Sequence, residues 1–145
     1  MNVVIESLKK EDLQKYKALS ELAFNNNKED VLTLEKKYAQ IINEPNLILI
    51  SAKIDDEMVG FAQGNIMCSL YSPSMLFVRG LCVHPDYRGN GIGTRLLEEL
   101  EKRAKEKGCE KLEFTCTPAR ELAHRLYAKN NFVYKETRHY SKKIN

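Results

Sequence analysis

The sequence contains no apolar run approaching the roughly 20 residues needed to cross a bilayer. Its opening residues, Met1-Asn2-Val3-Val4-Ile5-Glu6, have neither the basic start nor the apolar core of a secretion signal. A soluble, cytoplasmic protein with no membrane partner is therefore expected. Charge of one sign is also scarce: 23 basic residues against 20 acidic ones leave a net +3. That is too weak for the clustered basic footprint of a nucleic-acid binder. The acids and bases between Glu98 and Lys111 are interleaved, as on a solvated helix face. Cysteine is sparse and scattered, at 68, 82, 109 and 116, with no pair at metal-ligand spacing. His84, His124 and His139 complete no zinc pattern, so no metal is expected. The thiols read as free and mostly buried in strands, in a reducing compartment. There is no repeat, low-complexity tract or linker. The 145 residues fit a single domain, residues 1–145, large enough for one core.

What is present alternates between strand and helix patterns. Val3-Val4-Ile5 is a short strand. From Lys10 the helical period places Leu13, Tyr16, Leu19, Leu22 and Ala23 on one face, until Asn25-Asn26-Asn27 stops it. Lys28-Glu29-Asp30 leads into a second helix with Val31, Leu34, Tyr38, Ile41 and Ile42, which Pro45 ends. Leu47 to Ile54 is rich in β-branched residues, and Asp55-Asp56-Glu57 turns it into a hairpin partner at 58–64, with 66–70 a possible extension. Tyr71-Ser72-Pro73-Ser74 leads into the apolar run Met75 to Val83. A helix over 91–107 buries Ile92, Leu96, Leu97, Leu100 and Ala104, and Gly108 closes it. Residues 111–117 alternate like a strand. Thr117 caps a helix with Pro118 in its first turn, running 119–129 until Asn130-Asn131. Phe132-Val133-Tyr134 and residues 138–142 read as two final strands. The order β-α-α-β-β-β-α-β-α-β-β predicts an α/β (α+β) fold with a mixed, mostly antiparallel sheet flanked by helices.

The most informative stretch is Val83-His84-Pro85-Asp86-Tyr87-Arg88-Gly89-Asn90-Gly91-Ile92-Gly93-Thr94. An apolar strand runs into a loop with an arginine and three glycines, and a helix follows. The first N–H groups of a helix have no internal partner, and the helix dipole adds positive charge there. Such an end is a ready phosphate site. No lysine follows Gly93, so this is not a Walker loop, and Leu96 stands where a dinucleotide fingerprint needs its third glycine. What remains is Arg88-x-x-Gly91-x-Gly93, which resembles the acyl-CoA pyrophosphate loop of the GNAT superfamily of N-acetyltransferases. The element order is similar to that fold from end to end.

The resemblance implies acetyl-CoA as co-substrate and a small-molecule amine as acceptor, in a monomer or homodimer. It implies that backbone groups of Leu81, Cys82 and Val83 bind the pantetheine arm like an added strand. The loop Arg88, Gly89, Asn90, Gly91, Ile92, Gly93 and Thr94 would wrap the pyrophosphate, with Arg120 also on the cofactor side. Leu126-Tyr127-Ala128-Lys129-Asn130-Asn131-Phe132 looks like the family's tyrosine segment, which makes Tyr127 the candidate proton donor to the leaving thiolate. A phenol with a pKa near 10 stays protonated at neutral pH, with roughly one part in a thousand ionised. A lysine-type amine, with a pKa of about 10.4, must first lose a proton.

Three positions depart from the family. Many relatives carry a glutamate base where this chain has Arg79, and an arginine cannot serve. The asparagine seven residues before the tyrosine is Arg120, and the glycine before the final Phe is Asn131. His124, which shares a helix face with Arg120 and Tyr127, and Glu113 are the candidate bases, with ordered water as the alternative. Arg79 is a candidate for binding a carboxylate on the acceptor. The acceptor pocket is expected between the first two helices, their Asn- and Lys-rich connection at 25–28, and the loop at 71–73. A catalytically silent acyl-CoA-binding module is the alternative reading.

Overall fold

The computed structural model describes residues 1–24, 31–116 and 120–144. They fall into two units, Met1–Thr115 and Cys116–Asn145.

The first unit is built on a five-stranded sheet: β1 (Val4–Ser7), β2 (Leu47–Ile54), β3 (Glu57–Met67), β4 (Met75–Val83) and β5 (Lys111–Glu113). The strands lie in sequence order, antiparallel except for the parallel β4–β5 pair. Asp55 and Asp56 join β2 to β3 with φ of 49° and 66°, the left-handed pair that a two-residue hairpin turn demands. β3 takes in Glu57 and Asn65 besides the expected 58–64, and of the extension at 66–70 only Ile66 and Met67 join it.

Helix α3 (Ile92–Glu106) covers one face of the sheet. Its Ile92, Leu96, Leu100 and Ala104 pack with Ile50, Ala52, Val59, Leu76 and Val78 in one core. Each fully buried leucine contributes roughly 1.5–3 kcal/mol. Gly108, at φ +83°, ends the helix, its N–H donating to the Lys105 carbonyl at 3.0 Å.

The other face carries α1 (Leu13–Phe24) and α2 (Val31–Ile41). Leu19 and Tyr38 join Leu8, Leu49, Met58, Phe61 and Cys82 in a second core. An ionic cluster ties this layer to the sheet. Lys53 Nζ lies 2.8 Å from Asp12 Oδ1 and 2.8 Å from Glu6 Oε1. Asp12 stands in the single 3-10 turn Lys10–Asp12 that opens α1, and its Oδ2 accepts the Lys9 N–H at 2.9 Å. The Tyr38 hydroxyl donates to the Lys9 carbonyl, so α2 holds the same turn.

β5 covers only 111–113, shorter than the 111–117 expected. Its ladder with β4 ends at Phe77↔Glu113, and β4 bulges two residues later. A bulge bends its strand, so the two strands part.

The second unit contains α4 (Glu121–Lys129) and a C-terminal segment. The expected strands at 132–134 and 138–142 are not formed: residues 132–144 run without regular structure. Val133, Tyr134 and Tyr140 are 83%, 86% and 82% exposed. Alternation marks a strand only where an edge supplies ladder partners, and this segment has no ladder. The stop at Asn25-Asn26-Asn27, the lead-in at 28–30, and the Thr117 cap with Pro118 lie outside the described residues. Among the described residues no helix is long and apolar enough to cross a membrane.

Candidate active site

The candidate site residues form two sets, one in each unit. The first lies along β4. This strand pairs with β3 over its length but with β5 only at Met75–Phe77. From Val78 to Val83 its second edge has no ladder among the described residues, so Leu81, Cys82 and Val83 stand on an edge that an extended ligand can join. Facing β3, Gln63 pairs with Gly80 and Gly64 with Val78, so Arg79 is the extra residue of a bulge.

Two glycines shape the far end of that edge. The strand runs into His84, whose N–H donates to the Val59 carbonyl at 2.8 Å. A 3-10 turn, Pro85–Tyr87, follows; His84 Nδ1 accepts the Asp86 N–H at 3.1 Å, and the His84 and Tyr87 rings meet edge to face. Arg88 Nε donates to the Val83 carbonyl at 3.1 Å, folding this arginine back over the strand end. Asn90 Nδ2 bonds the carbonyls of Tyr87 and Arg88 at 3.0 and 3.3 Å, which makes it a brace of the loop. Gly89 and Gly91 have φ of +81° and +79°, which L side chains rarely adopt. A Cβ at either would meet no atom within 4 Å, so both look onto open space.

Gly91 is the N-cap of α3 and has no side chain to take the helix's leading amides. The first intrahelical bond is Arg95 N–H to the Gly91 carbonyl, 3.1 Å, and the amides of Ile92 and Gly93 precede it. Backbone donors at the positive end of a 15-residue helix form a donor set for a phosphate-type anion. The donor set fits the pyrophosphate of acetyl-CoA. Cys82 is buried, and burial pushes its thiol up to about 12, against opposing effects of a Phe61 backbone bond and the Arg88 charge. It stays a neutral thiol at physiological pH, in keeping with the expectation of a free thiol buried in a strand.

Glu113 ends β5, half-buried, with Lys111 Nζ at 3.6 Å from its carboxylate. Arg79 is exposed. Two β3 residues that sequence reasoning missed stand beside the bulge: Gln63 and Asn65, half-buried, with Gln63 Nε2 donating to Asn65 Oδ1 at 3.0 Å. Their two-residue spacing was the available signal, because alternate strand residues share a face. In the loop at 71–73, Tyr71 is fully solvated; residues 25–28 lie outside the described residues.

The second set is on α4. Arg120 is its N-cap, and His124 and Tyr127 follow on one face, both half-buried. Burial raises the Tyr127 phenol above its ordinary 10, Cys116 adds to this and Arg120 opposes it. The ring packs edge to face on Phe132 at 6.1 Å. Asn131 has φ of +67°, which explains why it can replace the family's glycine: asparagine tolerates the left-handed region. Among the described residues no cluster of three His, Cys, Asp or Glu is placed to hold a metal.

Comparison with known proteins fits this arrangement. The model of the acetyltransferase (GNAT) family matches residues 8–132. An acetyltransferase of Sodalis glossinidius (strain morsitans) is 30% identical over 95 residues, covering 66% of this chain and 63% of that protein. The L-2,4-diaminobutyric acid acetyltransferase of Methylotuvimicrobium alcaliphilum is 33% identical over 78 residues, 54% of this chain and 44% of that one. The matched stretches thus span less than two thirds of these relatives. Among solved structures, AAC(6')-Iy with the bisubstrate analogue CoA-S-monomethyl-acetylneamine superposes with a TM-score of 0.86 over all of both chains, at 19% identity. That likeness is one of fold. The chain belongs to the GNAT acetyltransferase family.

Proposed function

We propose that this chain, working as one domain over residues 1–145, transfers the acetyl group of acetyl-CoA to the primary amine of a small molecule. The observation that carries the reading is the open edge of β4 leading, through the 3-10 turn Pro85–Tyr87 and the glycine loop, to the uncapped start of α3. One surface thereby offers ladder groups to a pantetheine arm and helix amides to a pyrophosphate. The Sodalis relative, the diaminobutyric acid acetyltransferase and the CoA–acetylneamine analogue held by the structural neighbour support the same chemistry.

Direct attack in a ternary complex needs little covalent work from the protein. Leu81, Cys82 and Val83 hold the arm through their backbone, and the loop from Arg88 to Thr94 holds the diphosphate, with Arg120 a further cationic candidate. Holding donor and acceptor together supplies most of the acceleration. The acceptor ammonium loses a proton through water, with Glu113 or His124 as the candidate relay. Its nitrogen attacks the thioester carbon; the C–N bond forms, the C–S bond breaks, and Tyr127 protonates the departing thiolate. The Tyr127 phenol is protonated at neutral pH and so has the proton to give.

The test is thiol release from acetyl-CoA across a panel of amines, with CoA titration in parallel. Tyr127→Phe should retain CoA affinity and lose about 10²–10⁴ in kcat, the usual worth of a general acid. Absence of CoA heat and of protection against unfolding would refute the reading. Binding with no turnover of any amine would favour the silent acyl-CoA-binding module.

A further inference from the structure

The bulge in β4 decides what stands next to an acyl group on its edge. Val78 and Leu81 point to the α3 face, where they pack into that core. A Cβ at Gly80 would instead point to the opposite face, 3.6 Å from the Phe61 ring and 3.9 Å from Gln63 Cβ. Strict alternation from Val78 puts Arg79 on that opposite face as well. The extra residue therefore presents Arg79 and Gly80 consecutively to one side. The open edge begins at this point, about 13 Å of strand before Val83. An arm anchored beyond Val83 delivers its acyl end here. Both faces carry helices, but at this point Val78 on the α3 face is buried whereas Arg79 is exposed and Gly80 half-buried, so an acceptor reaches the acyl carbon from the Arg79–Gly80 face.

On that face the available chemistry is specific. Gly80 has no side chain and leaves room. The Arg79 guanidinium is exposed and has no ion-pair or hydrogen-bond partner among the described residues. Gln63 Nε2 donates to Asn65 Oδ1, 3.0 Å. That bond leaves Gln63 Oε1 to accept from an ammonium and Asn65 Nδ2 to donate to an oxygen. A planar guanidinium matches a carboxylate bidentately and repels a cation.

We infer that the acceptor is an amine carrying a carboxylate, of the amino-acid type, with Arg79 gripping the carboxylate and the Gln63–Asn65 pair orienting the acceptor's polar groups. The inference rests on the acetyl-transfer reading above. It assigns Gln63, Asn65 and Arg79 to specificity, and it predicts discrimination against polycationic amines.

Pairs of acceptors differing by the carboxylate alone test it: L-ornithine against putrescine, and L-lysine against cadaverine. The carboxylated member should have the higher kcat/KM by about tenfold to a hundredfold, the worth of one charge-assisted contact. Arg79→Ala should bring that ratio near one, Arg79→Glu should invert it, and Arg79→Lys should fall between. Gln63→Leu should raise KM for the carboxylated amine more than it lowers kcat. Protection by acetyl-CoA against unfolding shows that each variant is folded. A wild-type preference for the diamines, or a ratio indifferent to Arg79→Glu, overturns the inference while leaving acetyl transfer intact. Acetyl-CoA binding with no member of the panel acetylated overturns it as well. Failure to bind acetyl-CoA at all sinks the underlying reading instead.

Discussion

Replacing Lys53 with methionine should be among the most damaging single changes on the face of the sheet that carries α1 and α2. Lys53 is 6% exposed, and Asp12 beside it is 1% exposed. Lys53 Nζ gives Asp12 Oδ1 one bond of 2.8 Å and Glu6 Oε1 another. The substitution keeps most of the apolar stem but leaves the Asp12 carboxylate buried, with only the Lys9 N–H, 2.9 Å away, still stabilising it. Stranding one partner of a buried pair costs about 3–5 kcal/mol. Glu6 is partly solvated and recovers water, so its loss adds little. For a chain of this size the change corresponds to a fall in Tm of roughly 6–20 °C, at about 2–4 °C per kcal/mol. Against a typical total of about 5–15 kcal/mol, that loss removes most of the stability at the lower end and about a third or less at the upper end. Urea unfolding of wild type, Lys53→Met, Asp12→Asn and the double variant measures the effect. Removing the Asp12 charge should rescue Lys53→Met, giving a coupling of at least about 1 kcal/mol. A loss under about 1 kcal/mol, or no rescue in the double variant, would refute the argument that this cluster fastens the start of α1 to β2.

The same cluster sets a pH window. The Lys53 hydrogen bond holds Glu6 below its ordinary 4.5; burial opposes the Lys53 charge, but its bonds to Asp12 and Glu6 outweigh that and raise it above 10.5. Glu6 stabilisation is present above 4.5 and lost as pH falls through its lower folded value, while Lys53 stabilisation is present below 10.5 and lost as pH rises through its higher folded value. The cluster's own contribution should therefore be constant between those limits, although burial of Cys82 already lowers stability above its ordinary 9.0; Lys53→Met should make the limb above 10.5 shallower in Tm against pH, and an unchanged limb there would assign it to another group. Gly91→Ala forces an L residue to φ +79° with no atom within 4 Å of the new Cβ, so its cost is conformational, about 1–2 kcal/mol. It should lower Tm by a few degrees and weaken CoA binding about tenfold or more by calorimetry; unchanged affinity would count against the loop as a diphosphate site. Cys82, buried with its thiol pushed up to about 12, should resist alkylation at pH 8 in the folded protein, whereas exposed Cys68 reacts; mass spectrometry after brief iodoacetamide treatment reads both.

Local patterns, by themselves, determined much of this protein. The helical stripe Ile92, Leu96, Leu97, Leu100 and Ala104 is the buried face of α3. The apolar run Met75 to Val83 is β4 residue for residue. The glycines before α3 take positive φ where a strand-to-helix loop requires it. Such features depend on neighbours within a few residues, and periodicity reports them directly. Long-range pairing does not leave that trace. The bulge that pairs Gln63 with Gly80 and skips Arg79 comes from two strands adjusting to each other, and no repeat in either strand announces it. The early end of β5 follows from that bend, and residues 132–144, for all their alternation, form no ladder among the described residues. Lys53 sits in an apolar strand, 41 residues from Asp12, and only folding places the two charges 2.8 Å apart. The tertiary structure alone also decided that a two-residue step on β3, Gln63 to Asn65, stands beside an arginine that has no partner among the described residues. Hydrogen-bond register and burial are properties of the assembled sheet, not of any one segment within it.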